Sequence, residues 1–270
     1  MRVLFCGDVV GRAGRQIVVE RVPELRRRLR LDVVVVNGEN AAHGYGITAE
    51  ICREFFDAGV DVITGGNHSW DRREIVPFIT SDIRLLRPLN YPEGTPGWGA
   101  AVYPLKDGRN IMVFQVMGRL FMDPLDDPFA AATRALLNHR VGQSVDCIVV
   151  DIHAEATSEK ASMGAFLDGR VSLVAGTHTH VPTADARILP GGTAYITDIG
   201  MCGDYDSVIG MDKEQAIARF IRKIPSGRLE PATGLATLAA VFLETDPATG
   251  LAKSFSPVRL GGHLSEHWPQ

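Results

Sequence analysis

The sequence has few cysteines: Cys6, Cys52, Cys147 and Cys202 in 270 residues, none in a C-x-x-C pair. That excludes a disulfide framework and suits a reducing compartment. It lacks a basic excess. Lys plus Arg number 28 against 32 Asp plus Glu, a formal net charge of -4, which disfavours duplex nucleic acid as a partner but allows a small nucleotide or a short RNA end. It has no long apolar run. The longest, Leu235 to Leu243, is interrupted by Thr237 and falls short of the ~20 residues a membrane span needs. The first residues read as a strand rather than a secretory signal, so a cytoplasmic protein without a membrane partner is expected. No internal repeat or low-complexity tract appears. Hydrophobic residues at 45% and charged residues at 22% describe an ordinary globular chain, and 270 residues suit a single domain over 1–270.

The N-terminal half alternates strand and helix. Val3–Cys6, Asp32–Asn37 with its four consecutive valines, and Val60–Thr64 read as strands buried on both faces. Ile17–Leu29 has helical periodicity, with Pro23 expected to break it or to start a second helix. Thr48–Ala58 is a second helix, capped by Thr48 and stopped by Gly59. Pro88–Gly99 reads as a long surface loop. Hairpins are expected at 100–116, 184–197 and 235–260, helices at 128–139 and 213–223, and buried strands at 146–151 and 171–175. Strands joined by helices and strands joined by hairpins are both accommodated by an α/β, four-layer αββα sandwich: two mixed sheets face to face, with helices outside. A single doubly wound sheet carrying an added β-subdomain is the alternative.

Polar residues gather where the apolar strands end. Successive strands run into Asp8, Glu39-Asn40, Asn67-His68, Asp151-x-His153 and His178-x-His180. Each alone has a plain explanation as a cap, a turn residue or a core histidine. With eight histidines in the chain, one i, i+2 pair has little force. Together they deliver carboxylates, amides and imidazoles to the carboxyl edge of a sheet, where α/β proteins bind ligands. Oxygen and nitrogen donors without thiolate suit iron, manganese or zinc, and so many donors exceed one closed tetrahedral site. They fit two metals sharing a carboxylate, the arrangement that clamps both oxygens of a phosphoryl transfer.

In order and content the set resembles the calcineurin-like metallophosphoesterases, whose pattern is D-x-H, G-D, G-N-H-[DE], H, G-H-x-H. Gly7-Asp8, Gly38-Glu39-Asn40, Gly66-Asn67-His68, His153 and Gly176-x-His178-x-His180 carry the resemblance, over roughly residues 1–200. It is most similar to the YmdB-like branch through G-D-V-V-G-R at 7–12, N-G-E-N at 37–40, G-G-N-H at 65–68 and H-A-E-A-T-S-E-K at 153–160. Three departures from the wider pattern stand out. Val10 replaces a histidine, Glu39 replaces the bridging aspartate, and Ser69 follows His68 where an acid is usual, which leaves Asp71 as the nearby substitute.

The resemblance implies a metallophosphoesterase-like fold and two divalent or trivalent metal ions per chain, iron first, with manganese or zinc as alternatives. Asp8, Glu39, Asn40 and His180 would hold one ion. Glu39, Asn67, His153 and His178 would hold the other. His68 stays off the metals as the catalytic residue that assists the leaving group. The implied activity is a phosphodiesterase hydrolysing 2′,3′-cyclic nucleotides by in-line attack of a metal-bridging hydroxide. A phosphomonoesterase on the same site, or a metal-binding regulatory protein acting through a partner, are the rival readings, and a homo-oligomer is left open. His43, Tyr45 and Lys160 are placed in loops near the site, within reach of substrate. His139 is placed at a helix C-terminus.

Overall fold

The computed structural model describes residues 1–222 and 227–269. Its first sheet joins both ends of the chain. Strands β1 (Arg2–Cys6), β2 (Asp8–Val9), β3 (Val33–Asn37), β4 (Val62–Thr64) and β5 (Leu85–Leu86) come from the N-terminal third. In the middle of the chain, β6 (Ala100–Pro104), β7 (Asn110–Met117), β8 (Cys147–His153), β9 (Leu173–Thr177), β10 (Arg187–Ile188) and β11 (Ala194–Ile196) form a second sheet, in the order β10-β11-β9-β8-β7-β6. β12 (Met201–Asp204), β13 (Ala236–Thr245) and β14 (Ala252–Leu260) return to the first, whose path is β2-β12-β13-β1-β3-β4-β5 with β14 on β13. The C-terminal hairpin is therefore part of the first sheet. Val3 to Cys6 pair with both Val33–Val36, in parallel, and Ala240–Leu243, antiparallel. That removes the added-subdomain alternative.

Three apolar cores show the layering. Between the sheets, Val3, Phe5, Val33 and Val35 meet Ile111, Val113, Val149 and Leu173. Outside the first sheet, alternate residues such as Leu4, Val34 and Val36 pack against α1 (Gly11–Leu29) and α2 (Ala49–Asp57). Outside the second, Phe114, Ile148 and Val150 pack with Ala131 and Ala132 of α4 (Pro128–Ala135) and with Met163 and Leu167 of α5 (Thr157–Leu167). A short α3 (Val76–Ser81) and α6 (Lys213–Arg222) are the other α-helices among the described residues. The alternation of side chains along each strand sends one row to the inner core and the other to helices, which is why these strands read as continuous apolar runs. Two mixed sheets between helical layers form the four-layer αββα sandwich.

Several local readings need correction. α1 starts at Gly11, six residues before the periodic stretch, and runs unbroken through Pro23. Proline inside a helix costs ~3 kcal/mol or more. Burial of Val18, Val22 and Leu25 against the first sheet, at ~1.5–3 kcal/mol each, outweighs it. Gly14 sits inside this helix because a β-carbon there would collide with the Cys202 carbonyl on β12. α4 ends at Ala135, so His139 lies beyond the last turn and Arg134 occupies it instead. α5 went unrecognised because its inward face carries Glu159 and Lys160, which hides the apolar period. Lys160 is thus helical and buried rather than in a loop. Of the expected 213–223 helix, Lys213–Arg222 is helical, and residue 223 lies outside the described residues. The caps of α2 are as expected: Thr48 Oγ1 accepts from the Ile51 amide at 3.4 Å, and Gly59 follows with φ +98°.

Candidate metal centre

The carboxyl ends of β1, β3, β4, β8 and β9 meet at one edge between the sheets. Asp8 follows β1, Glu39 and Asn40 follow β3, and Asn67 and His68 follow β4. His153 ends β8, while His178 and His180 follow β9. Two groups of donors result, Asp8–Glu39–His180 and Glu39–His153–His178, and in each the ligand atoms lie within 4.8 Å of one another. Glu39 belongs to both. Asn67 Oδ1 lies 3.0 Å from His153 Nε2, which places it with the second group. Six of the seven expected metal ligands are thus brought together, and Asn40 directly follows Glu39 in the chain; Asp8 and His178, which touch, stand 170 residues apart.

Backbone shape makes the convergence possible. His178 and His180 both take left-handed φ, +94° and +66°. That costs a non-glycine residue ~1–2 kcal/mol and turns both rings toward the edge. Gly66 lets the β4 loop close over the centre, because a β-carbon there would overlap Glu39 Oε2 and His153 Nε2. The His68 amide donates to Glu39 Oε2 at 3.1 Å, and the Glu39 amide donates to Asn37 Oδ1 at 3.2 Å.

The electrostatics are those of a site short of positive charge. Asp8 is fully buried and, among the described residues, accepts only the His178 amide, 3.2 Å from each oxygen. Burial lifts its carboxyl from the ordinary value to about 7, against the pull of His180 and His153. Burial also raises Glu39, but the adjoining His153 outweighs it and holds Glu39 ionised well below the usual range. In return, desolvation of His153 is overcome by Glu39, whose Oε1 lies 3.2 Å from Nε2, and its imidazole is driven up. Burial, then the His153 charge, push His178 down to about 3.

Asn40 provides the sharpest test of fit for a cation. Its Nδ2 donates to the Gly44 carbonyl at 3.1 Å, which sets the amide orientation. Its Oδ1 is then buried with no hydrogen-bond partner among the described residues. A buried acceptor without a donor costs about 1–3 kcal/mol, and a metal ion would relieve it. The remaining ring nitrogens are also committed in the way metal-ligand histidines require. His180 Nδ1 is 2.7 Å from the Ile209 carbonyl, so Nε2 faces the centre. His153 Nδ1 is 2.8 Å from Thr177 Oγ1, which itself donates to Asp151 Oδ1 at 2.6 Å. The residues present fit bound metal.

Sequence reading missed most of this supporting layer. Asp151 also accepts from Thr64 Oγ1 at 2.6 Å, Gln115 Nε2 at 2.7 Å and Asn37 Nδ2 at 3.1 Å. The D-x-H spacing on a strand places Asp151 and His153 on one face, and that was the available signal. Glu155 Oε2 lies 3.1 Å from His178 Nε2. Lys160 turns away to a buried ion pair with Asp198, 2.7 Å. His68 Nδ1 lies 3.2 Å from Asp71 Oδ2, so Asp71 takes the carboxylate role that Ser69 cannot. Ser69 instead closes the β4 turn, with its hydroxyl donating to the Gly66 carbonyl and accepting from the Gly66 amide. Tyr45 stands edge-on to His68 at 5.2 Å. Gly7 and Gly14 admit the carbonyls of Gly200 and Cys202, with which a β-carbon would collide.

Comparison with known proteins converges on one family. Residues 4–258 match the family model described as YmdB-like protein. A Bacillus subtilis protein named 2′,3′-cyclic-nucleotide 2′-phosphodiesterase is 49% identical over 249 residues, covering 92% of this chain and 93% of its own. A solved structure of a hypothetical protein from Thermus thermophilus superposes with a TM-score of 0.91 at 44% identity, covering 97% of this chain and 100% of that one. A structure described as a novel phosphatase, from Mycoplasma pneumoniae, superposes with a TM-score of 0.90 at 35% identity, covering 97% and 93%.

Proposed function

Since the chain belongs to the YmdB-like family and is a phosphoester hydrolase, we propose that it is a phosphodiesterase that hydrolyses 2′,3′-cyclic nucleotides at a two-metal centre. The observation that carries this is the pair of donor groups sharing Glu39, and the unpartnered buried Oδ1 of Asn40, the next residue in the chain, supports it. Asp8, Glu39, Asn40 and His180 would hold one ion, and Glu39, Asn67, His153 and His178 the other. Iron is the first choice and manganese or zinc the alternatives, because the donors are carboxylate, imidazole and amide without thiolate. When bound, such ions supply Lewis acidity toward the phosphoryl oxygens and lower the pKa of water toward neutrality.

The chain's own groups do the rest. His68 is the catalytic residue. Asp71 holds its Nδ1, which leaves Nε2 to stabilise the charge growing on the phosphoryl group and to pass a proton to the departing ribose oxygen. The Thr177–Asp151 relay fixes the tautomer of His153, and the Ile209 carbonyl does the same for His180. Residues 1–270 act as one metallophosphoesterase domain, since strands from both ends of the chain build the sheet that carries Asp8 and Glu39. No helix among the described residues is long and apolar enough to cross a membrane. The charge balance supports a small substrate over a duplex, and a cytoplasmic setting suits four buried free thiols.

The test is turnover of 2′,3′-cyclic AMP by metal-loaded protein, with Asp8→Ala as control. Hydrolysis lost in the variant is expected. Two bound metals with no turnover would exclude the cyclic nucleotide and turn attention to monoesters or to a binding role.

A further inference from the structure

Next to the metal centre lies a concavity of about 430 Å3, lined by Arg12, His43, Arg72, Arg228, Glu230 and Pro231 among others. Three guanidinium groups face one carboxylate there, in a chain whose overall charge is -4. The charge is poorly neutralised. Arg12 is exposed and has no hydrogen-bond or ion-pair partner among the described residues. Among the described residues Arg72 donates only to the carbonyls of Tyr45, 3.2 Å, and Ala42, 2.9 Å, and its charge meets no acid. Arg228 is oriented by the Tyr45 ring, 3.9 Å from its guanidinium carbon, and by one hydrogen bond to Asp71 Oδ2 at 2.6 Å.

This hollow is joined to the reacting end. The oxygen of Asp71 that receives Arg228 is the one paired with His68 Nδ1. Tyr45 touches both His68 and Arg228. Asn40 and His43 share one loop, which Arg72 pins by its carbonyls, and Arg12 lies in the first turn of α1, just after Asp8. His68 is thus separated from the Arg228 guanidinium only by the Tyr45 ring, 5.2 Å from His68 and 3.9 Å from the guanidinium carbon, and by the Asp71 carboxylate that meets both.

Resting on the phosphodiesterase reading above, we propose that this hollow is a subsite for a second phosphate on the 5′ side of the substrate. The preferred substrates are then 2′,3′-cyclic phosphates that carry a 5′-phosphoryl group. The group is either a terminal phosphate or the phosphodiester that joins the nucleoside to a short oligonucleotide. Arg12 and Arg228 receive it, since planar guanidinium forks match phosphate oxygens. Arg72 adds charge without leaving its carbonyls. Glu230, on the same rim, opposes longer polyanions.

The experiment compares kcat/KM of the metal-loaded full chain on 2′,3′-cyclic AMP, its 5′-phosphorylated form, and the dinucleotide ApA ending in a 2′,3′-cyclic phosphate. The wild type is expected to favour both phosphorylated substrates about tenfold, the lower end of what a charge-assisted hydrogen bond contributes. Arg12→Gln and Arg228→Gln should pull that ratio toward one, and Arg12→Lys should restore part of it. Equal rates on all three substrates in the wild type would overturn the subsite. A preference confined to ApA would assign the phosphate to RNA ends, and one confined to the 5′-monophosphate to free nucleotides. A calorimetric titration of metal-free protein with 5′-AMP, against adenosine, separates the two proposals. Arg12-dependent binding of 5′-AMP without any hydrolysis would keep the subsite and sink the phosphodiesterase reading. Absence of such binding, together with equal rates, would sink the subsite alone.

Discussion

Two buried polar regions lie close together in this molecule and are built on opposite principles. Around Asp198 and Asp151 every acid has its donors. Asp198 accepts from Lys160 Nζ, from the Thr179 amide and hydroxyl and from the Gly200 amide, while Asp151 accepts from four side chains. Around Asp8 and Asn40 the donors run short. Asp8 has one backbone amide, and Asn40 Oδ1 has nothing among the described residues. Burial is equal in both, so burial alone does not mark a binding site. A shortage of donors among clustered carboxylates and imidazoles does, because a cation bound there would supply the positive charge those acceptors lack.

The strongest way to break this contrast is to remove Asp8. Asp8→Ala should lower kcat/KM on 2′,3′-cyclic AMP by about 10³ or more, the scale on which charge-stabilising groups in active sites act. Its thermal midpoint without metal should stay level or rise, since the variant loses a buried carboxyl that is hard to ionise. A large fall in that midpoint would mean Asp8 is a structural acid like Asp198. The mirror experiment is Lys160→Met. It leaves Asp198 buried and unpaired in a bridge whose partners are 1% and 0% exposed, and it should cost about 3–5 kcal/mol in denaturant unfolding. Metal stoichiometry of the surviving folded protein should be unchanged.

Thr177→Val sits where the two regions join. It cuts the link from Asp151 to His153 and should weaken metal affinity about 10- to 100-fold, read by chelator competition. A pH series sharpens the same point. Asp8 ionises at about 7 in the folded chain, above its ordinary value of 3.8. The folded state therefore holds an extra proton between those values, and metal-free stability falls as pH rises through that window. Added metal should raise the melting temperature more at pH 7.5 than at pH 5, and the reverse order would contradict the assignment of Asp8. The smallest effect is expected from Glu155→Gln. Its carboxylate meets His178 but is half exposed, so turnover should change only a few-fold.

Much of the site was visible in the chain because it follows local rules. Asp8, Glu39, Asn67, His153 and His178 each stand at the end of an apolar run, and strand ends in α/β sheets face one way. The hairpin at 100–116 and the Thr48 cap were legible for the same reason, since turn chemistry and capping act within a few residues. α5 was not legible. Glu159 faces inward to accept the amides of Arg119 and Leu120, and Lys160 faces inward to meet Asp198, so its buried side reads as polar. α1 was cut short because Gly11 and Gly14 look like turn residues, although Gly14 is needed for close packing on β12.

The linear order of residues was enough to specify the layers, the strand ends and the donor types, because hydrophobic period and turn chemistry are properties of neighbours. Partnership was beyond it. That Asp71 serves His68, that Asp151 acts on His153 through Thr177, that Arg228 leans on Tyr45, and that Lys160 is withdrawn into a buried pair all depend on contacts that exist only once the sheets close. Some span more than a hundred residues, as in Arg228 to Asp71. Charge and hydrogen bonding act over a few ångströms of space, and folding alone determines which distant residues come within that range.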